Sequence, residues 1–134
     1  EDAAPSAPVP LIHGTETILL VEDDTAVREL AHRLLTDLGY DVIEAERGPM
    51  AVSLAAKHNV INLLVTDVIM PEMSGKQVYE QVAALHPGIK VIYMSGYTAD
   101  VIAHRGILDD GVHLLQKPFT LQNLAQKVNE VLAG

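Results

Sequence analysis

Five times along this chain a short run of strand-forming apolar residues gives way to a segment with helical spacing. Few folds accommodate that alternation. The runs are Thr17-Ile18-Leu19-Leu20-Val21, Asp41-Val42-Ile43-Glu44-Ala45, Asn62-Leu63-Leu64-Val65-Thr66-Asp67, Lys90-Val91-Ile92-Tyr93-Met94 and Val112-His113-Leu114-Leu115. Between them, residues recur every three or four positions, as on one face of a helix. Val27, Leu30, Ala31, Leu34, Leu35 and Leu38 form the first such stripe, which Gly39 stops. Ala51, Leu54 and Ala55 follow Gly48-Pro49, and Val78, Val82 and Leu85 follow Ser74-Gly75 up to His86-Pro87-Gly88. A weaker helix is expected over 99–105. Thr120 is a good N-cap for the last helix, with Leu121, Leu124, Ala125, Val128, Val131 and Leu132 inward. The expected fold class is therefore α/β, a doubly wound, five-stranded parallel sheet with helices on both faces.

With 134 residues, 49% of them hydrophobic, the chain suits one domain with a proper core. Residues 1–15, rich in proline and alanine at the start, read as a linker or tail, and 16–134 as the domain. Nine basic residues against eighteen acidic ones give a net charge of −9, and the basic ones are scattered. Nucleic acid is thus not an expected partner, because its binders need a clustered basic patch. No cysteine is present, which excludes disulfides and thiolate metal sites. No apolar run approaches the ~18 residues of a membrane span, and the start does not resemble a signal peptide. No membrane contact and a cytoplasmic location are expected, with a tether to a membrane sensor as a variant of that placement. The six histidines lack metal-site spacing and read as structural or surface residues. Arg28 and Arg105 read as solvated helix charges.

Right-handed crossovers put every strand's carboxyl end on one rim, where ligands of such sheets gather. That rim collects Glu22, Asp23 and Asp24 after the first strand, Asp67 at the end of the third, Ser95 after the fourth and Lys117 after the fifth. Each has a bland alternative. The three acids suit a helix N-terminus, with Asp24 as its cap; Asp67 could be a turn residue; Ser95-Gly96 is a common turn; and a lysine is usually solvated. Taken together they suggest chemistry. Clustered carboxylates repel and stay ionised only beside a cation. Hard oxygen ligands without cysteine or paired histidine suit Mg2+. A carboxylate can attack phosphorus to form an aspartyl phosphate. The phosphoryl oxygens then need neutralisation, by the metal on one side and a lysine such as Lys117 on another.

Leu20-Val21-Glu22-Asp23-Asp24, Thr66-Asp67-Val68-Ile69-Met70-Pro71 with Gly75, Met94-Ser95-Gly96 and Lys117-Pro118-Phe119, in that order and spacing, resemble the receiver domain of two-component response regulators. The resemblance covers 16–134. It implies a flavodoxin-like sheet in the order 2-1-3-4-5, with Asp67 as the phosphoacceptor for a phosphoryl group from a kinase histidine. By position, it implies that Asp23 ligates Mg2+ directly, Glu22 acts largely through a metal-bound water, and Asp67 and the backbone carbonyl of Ile69 complete the protein ligands. Ser95 is implied as the switch hydroxyl and Lys117 as the partner of the phosphoryl group, with a cis Lys117–Pro118 bond. The face made by the fourth helix, the fifth strand and the last helix would then switch. Implied partners are a histidine kinase or a histidine phosphotransfer protein, and a weak homodimer.

Two positions depart from the family pattern. Leu114 stands where an aromatic switch residue is usual, three positions before Lys117; Tyr93 or Tyr97 is a substitute. Ile69 stands where some members carry a polar side chain that positions hydrolytic water, so slow autodephosphorylation is expected. Met94-Ser95-Gly96-Tyr97-Thr98-Ala99-Asp100 resembles receivers at the carboxyl end of hybrid sensor kinases, and the chain ends straight after its last helix. A hybrid histidine kinase is thus the expected parent. Competing readings are a Mg2+-dependent phosphohydrolase with an aspartate nucleophile, a docking-only receiver and a flavodoxin-like electron carrier. Ile69 opposes the first, since such hydrolases carry a second aspartate there. The three acids after the first strand oppose the last, because they would repel a flavin phosphate.

Overall fold

The computed structural model describes residues 14–96 and 112–134. The five strands are β1 (Thr17–Val21), β2 (Asp41–Ala45), β3 (Leu63–Asp67), β4 (Lys90–Ser95) and β5 (Leu114–Gln116). Helices α1 (Thr25–Asp37), α2 (Gly48–Lys57) and α3 (Gly75–Leu85) follow the first three strands, and α4 (Leu121–Ala133) follows β5. All pairings are parallel, in the order β2-β1-β3-β4-β5, as expected. The helix expected over 99–105, with Tyr97, His104 and Arg105, lies outside the described residues, as does the tail up to residue 13.

The two-residue period of a strand explains why β1 and β3 are apolar at nearly every position. Ile18 and Leu20 of β1, with Leu63 and Val65 of β3, pack against Ala31 and Leu35 of α1 and Leu124 and Val128 of α4. Leu19, Val21 and Leu64 point the other way, against Ala51 and Ala55 of α2 and Val78 and Val82 of α3. Each face thus has its own core, and the sheet between them is buried from Ile18 to Val21 of β1 and along all of β3. Burying one such leucine contributes about 1.5–3 kcal/mol, which fixes the strand register and hence the height of the rim.

Local chemistry sets the helix starts. Asp24 accepts from the Val27 N–H at 3.1 Å, Ser74 and Gln77 form a reciprocal capping box, and Thr120 accepts from the Asn123 N–H at 3.1 Å. Gly39, at φ 98°, takes the left-handed conformation that ends α1.

Three details differ from expectation. The fifth strand begins at Leu114 and reaches Gln116, because its pairing partners are Tyr93, Met94 and Ser95; Val112 and His113 precede it. Leu85, the last residue of α3, is exposed. Leu30 is 44% exposed and with Val27, Pro118 and Phe119 lines an apolar groove beside Lys117.

Candidate functional site

Strand register brings the chemistry together. Val21 pairs with Thr66 and Asp67 with Met94, so Glu22, one residue past β1, stands level with Asp67 at the end of β3. The Val68 N–H donates to the Met94 carbonyl at 3.0 Å and the Lys117 N–H to the Ser95 carbonyl at 2.8 Å, extending the ladder to the rim. Lys117 therefore leaves β5 beside the β4 terminus, and its bond to Pro118 is cis, as expected.

Lys117 Nζ lies 2.5 Å from Glu22 Oε1 and 2.9 Å from Asp67 Oδ1, so one ammonium bridges two buried carboxylates. Glu22 Oε2 accepts from the Asp24 N–H at 3.1 Å. Glu22, Asp23 and Asp67 each offer an oxygen within 4.8 Å of the others, a grouping able to hold a metal ion. Asp24 is not in that group; its side chain is occupied as the cap of α1. Three carboxylates against one ammonium leave two unbalanced negative charges, which a divalent cation would close. All-oxygen donors suit a hard cation, so the residues present fit magnesium.

Burial, reinforced by the Glu22 carboxylate and opposed by Lys117, pushes Asp67 up to about 7. For Lys117 burial acts to lower the pKa, but its bonds to Glu22 and Asp67 outweigh it and the net shift is upward. The ammonium is thus held charged between the two acids. Asp67, by contrast, is poised between its forms at neutral pH and would be fully ionised only beside a further cation.

Ser95 is buried at the end of β4. Ile69, two residues past Asp67, turns its side chain outward, 57% exposed. Leu114 is half-buried and packs with Val68 and Tyr93, the latter its cross-strand partner. Gly75 has no room for a side chain, since a Cβ there would collide with the Asp67 carbonyl oxygen. Its N–H donates to the Val68 carbonyl at 2.8 Å, tying the start of α3 to the acid-bearing turn. Gly75→Ala is expected to destabilise the fold by roughly 1–3 kcal/mol through overpacking. Urea unfolding checks this, and a wild-type midpoint would contradict it.

One expectation needs correcting. Arg28 is not a solvated charge: its side chain is only 14% exposed, Nη1 donates to the Glu22 carbonyl at 2.9 Å, and Nε lies 3.4 Å from Glu44 Oε1. His32 Nδ1 sits 3.0 Å from the other Glu44 oxygen. Arg28 and His32 are one turn apart on α1, a spacing visible in the sequence, but their shared partner comes from β2 and becomes apparent only once the helix is packed.

The sequence model of the response regulator receiver domain matches residues 18–129. The chain belongs to that family. The receiver is 39% identical over 122 residues to the sensor kinase CckA of Brucella abortus, which covers 90% of this chain but only 13% of CckA. It is 36% identical over 121 residues to a chemotaxis protein CheY homolog of Campylobacter jejuni, covering 86% of this chain and 91% of that one. Among solved structures, the receiver domain from hybrid histidine kinase CckA superposes with a TM-score of 0.73 at 36% identity, over 87% of this chain and 98% of that domain. The chain is thus a receiver domain of two-component signalling, similar to hybrid-kinase receivers, a family that works with histidine kinases or phosphotransfer proteins. Among the described residues no helix is long and apolar enough to cross a membrane.

Proposed function

We propose that this receiver accepts a phosphoryl group from a phosphohistidine onto Asp67 in a magnesium-dependent reaction. The observation that carries the reading is Lys117, which grips Glu22 and Asp67 together at the mouth of a three-carboxylate cluster. Glu22, Asp23, Asp67 and the Ile69 carbonyl would hold the cation. Magnesium, when bound, supplies positive charge against the phosphoryl oxygens. An Asp67 carboxylate oxygen forms the new O–P bond as the P–N bond to the donor imidazole breaks; the imidazole leaves with the bonding pair and takes up a proton. Lys117 turns toward the phosphoryl oxygens as negative charge arrives. Ser95, buried on the adjacent strand, offers its hydroxyl to a further oxygen and so couples the event to the β4–β5 side.

The apolar groove of Val27, Leu30, Pro118 and Phe119 flanks Lys117 and suits a docked donor helix. The donor is a histidine kinase or a histidine phosphotransfer protein. The parent chain is a hybrid histidine kinase, with 16–134 as its receiver and 1–15 as the tether; the similarity to CckA supports this. The receiver promotes its own phosphorylation and turns over no external substrate.

Intact mass tests this. After incubation with magnesium and acetyl phosphate, wild type gains one phosphoryl group, Asp67→Asn gains none, and chelation abolishes the gain. No gain by wild type, with acetyl phosphate or with a phosphorylated histidine donor, would contradict the reading. The exposed, apolar Ile69 side chain cannot orient a hydrolytic water, so the purified phosphoprotein is expected to keep its label for minutes or longer. Loss within seconds would count against that.

A further inference from the structure

We propose that Arg28 is a positioning residue for the acidic cluster, a role that rests on the cluster being a magnesium site. Glu22 is fixed by its backbone on two sides. Its N–H donates to the Ala45 carbonyl of β2 at 3.1 Å, and its carbonyl accepts from Arg28 Nη1 at 2.9 Å. That carbonyl belongs to the peptide leading into Asp23, so the guanidinium sets the plane from which Asp23 departs. Asp23 is exposed, and the neighbouring Asp24 spends its side chain on capping α1. The Asp23 carboxylate therefore reaches Glu22 and Asp67 because its backbone is held.

Arg28 is held in turn. Glu44 of β2 lies 3.4 Å from its Nε, and His32 Nδ1 lies 3.0 Å from the second Glu44 oxygen. A planar guanidinium presents Nη1 to the carbonyl and Nε to the carboxylate in fixed directions, whereas a lysine ammonium is a single point charge without that preset fork. Arg28 bonds the backbone of the cluster, whereas Lys117 sits among its carboxylates. The arrangement is the outer support that ligand carboxylates need for a fixed geometry.

Magnesium titrations of wild type, Arg28→Gln, Arg28→Lys and Glu44→Gln, followed at the Asp23 amide by nuclear magnetic resonance, test the clamp. Arg28→Gln is expected to weaken magnesium binding about 10-fold. Arg28→Lys should fall between it and wild type, and Glu44→Gln should shift the same way by less. In chelator, the Asp23 amide of Arg28→Gln should already be displaced and exchange faster with solvent. Folded variants that bind magnesium as tightly as wild type would overturn the proposal, even with a lowered unfolding temperature, since a purely structural Arg28 predicts that result. If Arg28→Gln does not fold, the Glu44→Gln titration decides by the same criterion. Absence of saturable binding by wild type would remove the magnesium reading, and the clamp with it.

Discussion

Lys117→Ala is expected to slow phosphoryl uptake from acetyl phosphate by at least about 100-fold at saturating magnesium, the scale of losing one preorganised donor to developing negative charge. The same substitution should cost stability. Glu22 is wholly buried, and without Lys117 its carboxylate loses the cation 2.5 Å away and faces Asp67 with no charge between them. Removing one partner from such a buried group costs roughly 3–5 kcal/mol, part of which Asp67 recovers by taking up a proton. Initial rates by intact mass and urea unfolding in chelator measure the two effects separately. A rate within a few-fold of wild type would show that Lys117 only holds the resting cluster together and takes no part in transfer.

The second large effect is on the pH dependence of stability. Asp67 ionises at about 7 in the folded, metal-free protein, from burial and the neighbouring Glu22. In the unfolded chain it ionises near 4. Between those values the folded state holds a proton that the unfolded state has released. The stability this contributes is complete below about pH 4 and is lost as pH rises through about 7. Lys117, shifted upward, keeps its contribution throughout this window and loses it only in strong alkali. Wild type in chelator should therefore lose stability between about pH 4 and about pH 7 relative to Asp67→Asn, which lacks the titrating group. Magnesium at the higher pH should restore it, because a ligand that binds only the native state stabilises that state. Parallel pH profiles for the two proteins would contradict the account of Asp67.

Both effects have the same physical origin. The cluster is built to be unsatisfied: two carboxylates are buried with one ammonium, a third stands beside them, and the charge is balanced only when a divalent cation arrives. In the proposed function, stability is given up at the rim so that magnesium and then a phosphoryl group are bound there.

The rim and its donors were legible in the sequence because both follow from local pattern. Apolar runs such as Thr17-Ile18-Leu19-Leu20-Val21 announce buried strands, and the residue after each run is then at the carboxyl end of a parallel sheet. Glu22, Asp23, Asp67 and Lys117 follow from that logic, and the structure brings them within contact of one another. Local pattern failed where partners are distant. Val112-His113-Leu114-Leu115 looks like a strand throughout, yet pairing with β4 starts at Leu114 and takes in polar Gln116. Leu30 and Leu85 keep helical spacing but stay exposed. Arg28 was invisible as anything but a helix charge, because its partners are a carbonyl of the β1 loop and a carboxylate of β2.

The most direct test is to find where the phosphoryl group goes. Wild type labelled with acetyl phosphate and magnesium, reduced with borohydride and digested, should carry homoserine at position 67, the mark of an acyl phosphate there, with every other aspartate and every glutamate unreduced. Homoserine at another aspartate, a reduced glutamate, or phosphate retained on a histidine or serine with position 67 unchanged, would contradict the account.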